Sequence, residues 1–356
     1  MQSFNHTFIQ LVRLGIGHNA DALSESYDWQ AIQALANKQG LTAIVIDGVG
    51  KLPETSRPPK KVLLEWYGKV LQSYEFRYKL YRNAIAELAS IYNKNGIKMM
   101  VLKGYACGLD WPRTEHRPCG DIDIWQFGEY KKADSIIAKE KGIKIDKSHH
   151  HHTVFTWRKF TVENHYDFVN VHAHKSSAEL EKIFKELGKD DSHLVEVNGE
   201  RVYLPSPNLH ALFLIKHMIS HFAAAEISLR QVLDWAFFVE KHANEVDWEW
   251  LSELLDKYHM TGFFNCLNAI CIEDLGFDEK NFPKAQFLPE IKQRVLEDIL
   301  NPAFGVTESG KLIPLLVYKC KRWHGNAWKQ KLCYDESRWS AFWSGIKNHL
   351  LKPSSI

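Results

Sequence analysis

The segment R-P-C-G-D-I-D-I-W, residues 117–125, constrains this chain more than any other. Alternate side chains of an extended strand share a face. Asp121 and Asp123 therefore point one way, while Ile122 and Ile124 point into a core. Two parallel carboxylates on a rigid strand repel unless a counter-ion lies between them. Mg2+, a hard cation that takes oxygen ligands, suits the pair. The competing reading is a solvated strand face that follows a Gly-Asp turn. Upstream, residues 97–102 form a short apolar strand that runs into Lys103-Gly104. A glycine between strand and helix lets backbone N–H groups approach a phosphate. A neighbouring lysine supplies a point charge for a triphosphate.

The chain around this centre changes texture twice. Before it lie a helix from Trp29 to Lys38 that stops near Gly40, a break at Pro58-Pro59, and a long amphipathic helix from Lys61 to Asn93 closed by Asn95-Gly96. Then come helical turns at 105–111, a turn at Arg117–Gly120, a strand from Asp121 to Trp125 and a helix from Tyr130 to Lys141 closed by Gly142. Strands are expected at Val154–Trp157, Tyr166–His174 and Val195–Leu204, with a helix at 177–187 before the last. Ser206-Pro207 is an N-cap followed by a first-turn proline. Helices then run to His221, through Leu229–Phe237, and over 247–258, 261–273, 287–299 and 337–350. The fold class is α+β: a mixed-sheet core at 94–205, between a helical N-terminal segment at 1–93 and a helical C-terminal domain at 206–356.

The motifs V-L-K-G-Y and R-P-C-G-D-I-D-I resemble the uncharacterised nucleotidyltransferase family of the DNA polymerase β-type nucleotidyltransferase superfamily. The superfamily pattern is h-G-[GS], then D-h-[DE], then a third acid on a later strand; here Lys103 stands at the first glycine, as is typical of this subfamily. L-P-S-P-N at 204–208, His217 with His221, and L-R-Q-V-L-D-W at 229–235 extend the likeness over about residues 60–245. The resemblance implies two-metal phosphoryl transfer. Asp121 and Asp123 would bridge two Mg2+ ions, and an NTP would give its nucleoside monophosphate to an acceptor hydroxyl. The third acid of this subfamily falls in an acid-h-H pattern. In V-N-V-H-A-H, residues 169–174, that puts Asn170 at the acid and His172 at the histidine. Asp167 would face the other way, and Glu163 would lie outside the strand. Two readings stay open: a transferase, with His172 as a base, and a nucleotide-binding or scaffolding protein whose site is degraded at Asn170. The acceptor is not specified.

Other residues carry two readings each. Arg117 suits a phosphate through its fork, or stabilises its turn. His217 and His221 share a helix face, either as buried hydrogen-bonded histidines or at a cleft. Arg230 and Asp234 are spaced for a helix-face ion pair, although in the resembled family Arg230 would be near enough to reach a substrate phosphate. Seven of the 18 histidines crowd into residues 149–174, including the run His149–His152, and His172 and His174 share a face of the expected strand. The run reads as an exposed loop or edge strand. Alternatively, some of these histidines hold Zn2+ in a metal hydrolase.

Composition sets outer limits. The net charge is +2, which gives no bulk signal for nucleic acid. Residues 305–356 are basic, with seven Lys and two Arg against three acids, and carry Trp323, Trp328, Trp339 and Trp343. Packing with a solvated basic rim accounts for them better than stacking on single strands. No apolar stretch approaches the ~20 residues of a membrane helix. The six cysteines, none in a CxxC pair, read as free thiols of a cytoplasmic protein.

Overall fold

The computed structural model describes residues 2–21, 27–172, 174–284, 286–304 and 312–337. Strands β1 (Met100–Val101), β2 (Ile122–Trp125), β3 (His152–Trp157), β4 (Phe160–His165), β5 (Leu194–Val197) and β6 (Glu200–Tyr203) form one mixed sheet in the order β3-β4-β2-β1-β6-β5. The fold is α+β. β2 runs antiparallel to β1 and parallel to β4, in a register that sets Asp123 opposite Glu163 and Trp125 opposite His165.

The two faces of the sheet are covered by different parts of the chain. Ile122, Ile124, Val101 and Val162 pack on Tyr81, Ile85, Leu88 and Tyr92 of the helix Arg77–Lys94, and on Ala133 and Ile137 of the helix Tyr130–Lys141. On the other face Met100, Leu102 and Trp125 meet Phe168, Leu180, Phe184 and Phe213. The last three belong to the helices Lys175–Leu187 and Pro207–Ala224. The expected helix from Lys61 to Asn93 is continuous, with a π-helical stretch at Leu71–Phe76. Its Arg77 and Tyr81 donate to the carbonyls of Cys119 and Asp121, both at 2.9 Å, so this helix anchors the turn that presents the acid pair.

Two strand expectations need correction. The strand placed at Tyr166–His174 lies earlier, at Phe160–His165, in a hairpin with β3 that turns at Arg158-Lys159. Beyond His165 the chain leaves the sheet. The N–H groups of Phe168 and Val169 donate to the Glu181 carboxylate rather than to a neighbouring strand. The strand expected over Val195–Leu204 is two strands, because Asn198 and Gly199 adopt positive φ of 51° and 83° and reverse the chain.

The N-terminal helices Gln2–Ile16, Trp29–Gln39 and Thr42–Gly50 share one hydrophobic core with the helices that follow Ser206. Gln39 is buried at this junction. Its amide donates to the carbonyl of Ile299 at 2.9 Å and accepts from the Leu229 N–H at 2.7 Å. In the C-terminal part Trp328 packs edge-on against Phe222 and under Arg294. The helix expected at 337–350, with Trp339 and Trp343, lies outside the described residues from 338 onward. No helix among the described residues is long and apolar enough to cross a membrane.

Arg117 fastens the sheet region to the helix Leu229–His242. Its Nε and Nη2 donate to the two carboxylate oxygens of Asp234 at 2.7 and 2.8 Å, and the Trp111 indole donates to the same carboxylate at 2.8 Å. Arg117 and Asp234 are both buried. Breaking such a pair leaves a buried charge uncompensated, at a cost of about 3–5 kcal/mol. Asp234→Ala is therefore expected to lower unfolding stability in urea by about that amount. Asp234→Asn, which retains an acceptor for Trp111, should cost less. A loss as small as that of an exposed pair, under about 1 kcal/mol, would rule out this fastening role.

Candidate active site

A cavity of about 570 Å³ opens between the carboxylate face of the sheet and the helix Pro207–Ala224. Asp121, Asp123, Lys103, Gly104, Arg117, Asn170, His217, His221, Arg230 and Asp234 all line it. His172 is exposed, and its N–H donates to Asn170 Oδ1 at 3.0 Å.

At the centre is Asp123, buried and in contact with two groups. Lys103 Nζ lies 2.7 Å from its Oδ1, and His165 Nε2 lies 3.2 Å from the same atom. Burial alone would raise the Asp123 carboxyl, but Lys103 and His165 outweigh it and hold the group well below the usual carboxylate range. Asp121, two residues earlier, is exposed at the rim. Glu163, directly opposite Asp123 in register, is pushed up by burial and by the charge of Asp123. Asp123, Glu163 and His165 bring their ligand atoms within 4.8 Å of one another, close enough to share one cation.

The backbone at Lys103-Gly104 is shaped for this cluster. Lys103 holds φ at +25°, a conformation that costs a non-glycine residue about 1–3 kcal/mol. Gly104 is needed for space: a Cβ there would come within 2.5 Å of the Tyr81 hydroxyl, which fixes the Asp121 carbonyl.

The structure assigns several sequence candidates differently. Glu163, expected outside the strand, lies in β4 beside Asp123, whereas Asn170 sits in the following loop. The acid-x-His spacing sought at Asn170 and His172 also occurs at Glu163 and His165, inside the strand. That spacing was the available signal. It was obscured by Asn164, a polar residue on the core-facing side that donates to Asp134 at 2.8 Å. Arg117 spends its fork on Asp234, so the ion pair expected between Arg230 and Asp234 does not form. Arg230 Nε is buried with no hydrogen-bond partner, on the cavity wall. Burial, with Arg117 nearby, lowers the Arg230 pKa. Asp167 pairs with Lys185.

His172 and His174 do not converge: His174 stacks on Tyr334 with ring centroids 3.8 Å apart. His217 and His221 meet edge to face at the cavity, and among the described residues no hydrogen bond holds either. Burial, then Lys103, pushes His217 well below its usual value. Residues 149–151 bend rather than extend, so His151 and His152 both reach the cavity. Burial, then the neighbouring imidazole of His165, lowers them to about 2 and about 3, which keeps both rings neutral.

The site is a mixed sheet that presents clustered carboxylates and a lysine to a cavity under a helix. The chain belongs to the uncharacterised nucleotidyltransferase family, whose model matches residues 25–273. Among solved structures it is similar to an antigenic nucleotidyltransferase-like protein from Paracoccidioides brasiliensis, at 14% identity and a TM-score of 0.33, over 45% of this chain and 75% of that one. No curated protein matches the chain.

The loop between β4 and the helix Lys175–Leu187 forms one wall of the cavity through Phe168, Val169 and Asn170. Glu181 holds this loop by accepting from the N–H groups of Phe168 and Val169 at 3.1 and 3.0 Å. Burial pushes its carboxyl up to about 7, against the opposing pull of these two bonds. A carboxyl raised by folding favours the protonated folded form, so its stabilising contribution is present at low pH and is lost as pH rises towards about 7. The wild-type melting temperature should therefore fall relative to that of Glu181→Gln between about pH 5 and about pH 8. Parallel curves would show that Glu181 does not titrate in this range.

Proposed function

We propose that the protein transfers a nucleoside monophosphate from an NTP to a hydroxyl acceptor, the acceptor oxygen bonding to the α-phosphorus as the α–β anhydride breaks and pyrophosphate and the hydroxyl proton leave, with Mg2+ held by Asp121, Asp123 and Glu163. The observation that carries this reading is the set of three carboxylates, Asp123 and Glu163 on paired strands and Asp121 just before the first of them, lining one cavity with Lys103. Oxygen donors of this kind fit Mg2+. Burial and then the charge of Asp123 push the Glu163 carboxyl upward, and a divalent cation would oppose both effects. Bound Mg2+ supplies charge neutralisation for the triphosphate and a template for in-line attack; two ions are expected from the family resemblance.

The remaining steps belong to side chains. Lys103 neutralises Asp123 and is the nearest ammonium to the carboxylate row. Arg230, whose buried Nε has no partner among the described residues, favours an anion in the cavity and suits the phosphates through its donor fork. Phe168 and Phe213 line the cavity and exclude water from part of it. Asp121, Ser220 and His221 are exposed and offer polar contacts to an acceptor entering from solvent. The alternative of a degraded site rested on Asn170 as the third acid. Glu163, in register with Asp123, supports the full carboxylate set instead.

Calorimetric titration with ATP or GTP in the presence of Mg2+ tests the proposal. Asp121→Ala with Asp123→Ala should abolish Mg2+-dependent binding, and unaltered binding would refute the site. The third carboxylate is tested separately. Glu163→Gln should weaken Mg2+ by roughly tenfold or more, the scale of a lost ligand or its support. Asn170→Asp should leave Mg2+ affinity unchanged. The reverse result would restore Asn170 to the metal shell and remove Glu163.

A further inference from the structure

The proposed transfer leaves three imidazoles of the cavity without a task. His151, His152 and His165 bring their ligand nitrogens within 4.8 Å of one another. Two of them pose a physical problem. His151 Nδ1 and His152 Nδ1 are buried and have no hydrogen-bond partner. A buried polar atom left unpaired is costly, and two on adjacent rings beside a third imidazole share one simple remedy, a cation.

The third ring is oriented for the same purpose. His165 Nδ1 lies 3.2 Å from the Asp167 carbonyl, which only accepts, so Nδ1 carries the hydrogen. Nε2 lies towards carboxylate oxygens of Asp123, at 3.2 Å, and Glu163, at 3.7 Å. With a proton on it, Nε2 donates to Asp123; a cation that displaces that proton takes the same position between the ring and the acids. A ring N–H spent on a backbone carbonyl is also the usual support of a metal-binding histidine.

We infer that His151, His152 and His165, with Glu163 as the fourth donor, form a site for a transition cation of the Zn2+ type. His152 Nδ1 and His165 Nε2 each lie 3.7 Å from Glu163 Oε2. Tetrahedral ligands at Zn–N distances of about 2.0–2.1 Å stand roughly 3.3 Å apart, so modest side-chain movement closes the site. Neutral imidazoles suit Zn2+, Co2+ or Ni2+, whereas Mg2+ takes oxygen. The loop is held in place beforehand: the His151 carbonyl accepts from the N–H groups of both Tyr166 and Asp167 at 3.0 Å, and the Tyr166 hydroxyl donates to the His149 carbonyl at 2.9 Å. This assignment goes beyond the transferase reading and does not require it. Because Glu163 serves both groups, occupancy of one site changes the donors left to the other.

The test uses the full chain, stripped of metal with a chelator. Zn2+ is titrated calorimetrically and Co2+ by visible absorption. The expected result is stoichiometric Zn2+, and the intense d–d absorption of Co2+ in a four-coordinate, nitrogen-containing site. His151→Ala with His152→Ala should weaken Zn2+ by roughly tenfold or more, while His149→Ala with His150→Ala should not. Unchanged Zn2+ affinity in the first pair, loss only in the second, or the weak absorption of Co2+ in six oxygen ligands would each overturn the inference. The wild-type Co2+ spectrum decides the matter even if the variants misfold. Mg2+–ATP titration of Asp121→Ala, run alongside, reads the transferase proposal independently, so either one can fail alone.

Discussion

The contact between Lys103 and Asp123 is the interaction on which the rest of the site depends. A carboxylate as buried as Asp123 is expensive to ionise, and an isolated one would take up a proton instead. The ammonium at 2.7 Å and the imidazole at 3.2 Å make the ionised form the stable one. That arrangement in turn fixes the surroundings. Lys103 must leave β1 at an angle that brings Nζ back over β2, and the backbone accepts a positive φ to do so. Gly104 must stay bare so that Tyr81 can hold the Asp121 carbonyl. The strand, the turn and the long helix beneath it are thus tied to one ion pair by short, identifiable contacts.

Another part of the cavity lining is fixed by a second ion pair with a different character. Arg117 and Asp234 satisfy each other fully, with Trp111 as a third partner, and have little capacity left for a ligand. Their consequence is indirect: they deny Arg230 the partner that its helix spacing suggests. The guanidinium that remains uncommitted is therefore the one on the cavity wall. The same cavity thus holds carboxylates and an uncommitted cation, a combination that under the proposed function suits a ligand carrying both a metal ion and phosphate.

Much of this was legible in the sequence where local rules govern. The alternation in Asp121–Trp125, the stop at Gly142 and the helix start at Pro207 follow from strand period, left-handed glycine and a first-turn proline, and the structure keeps all three, although the Ser206 side chain makes no cap hydrogen bond. The errors arose where a distant partner overrides a local pattern. Val169 to His174 alternates as a strand does, but Glu181 captures the N–H groups that a sheet would need. Asn164 breaks the apolar face of β4, although Asp134 satisfies it inside the core, so the strand that bears Glu163 was hidden. The spacing of Arg230 and Asp234 promised a pair that Arg117, more than a hundred residues away, takes over. The bend at 149–151 could not be read from four identical residues in a row.

Lysine at position 103 is instructive, because it stands in a backbone conformation that suits glycine. A glycine would adopt φ near +25° at little cost, whereas lysine pays about 1–3 kcal/mol for the same backbone. Burial of its ammonium adds a penalty of its own. Both costs are borne at the position from which a side chain can reach Asp123, and the ammonium also lies 5.7 Å from the Phe213 ring on the covering helix. The residue therefore links the strand to the helix that roofs the cavity, besides neutralising the acid. Under the proposed function the same ammonium must share Asp123 with a metal ion, and like charges that close repel. Metal entry would then loosen the contact with Asp123 and free the ammonium for the incoming phosphates. In that case the strained backbone at Lys103 holds a cation beside the metal position before substrate arrives.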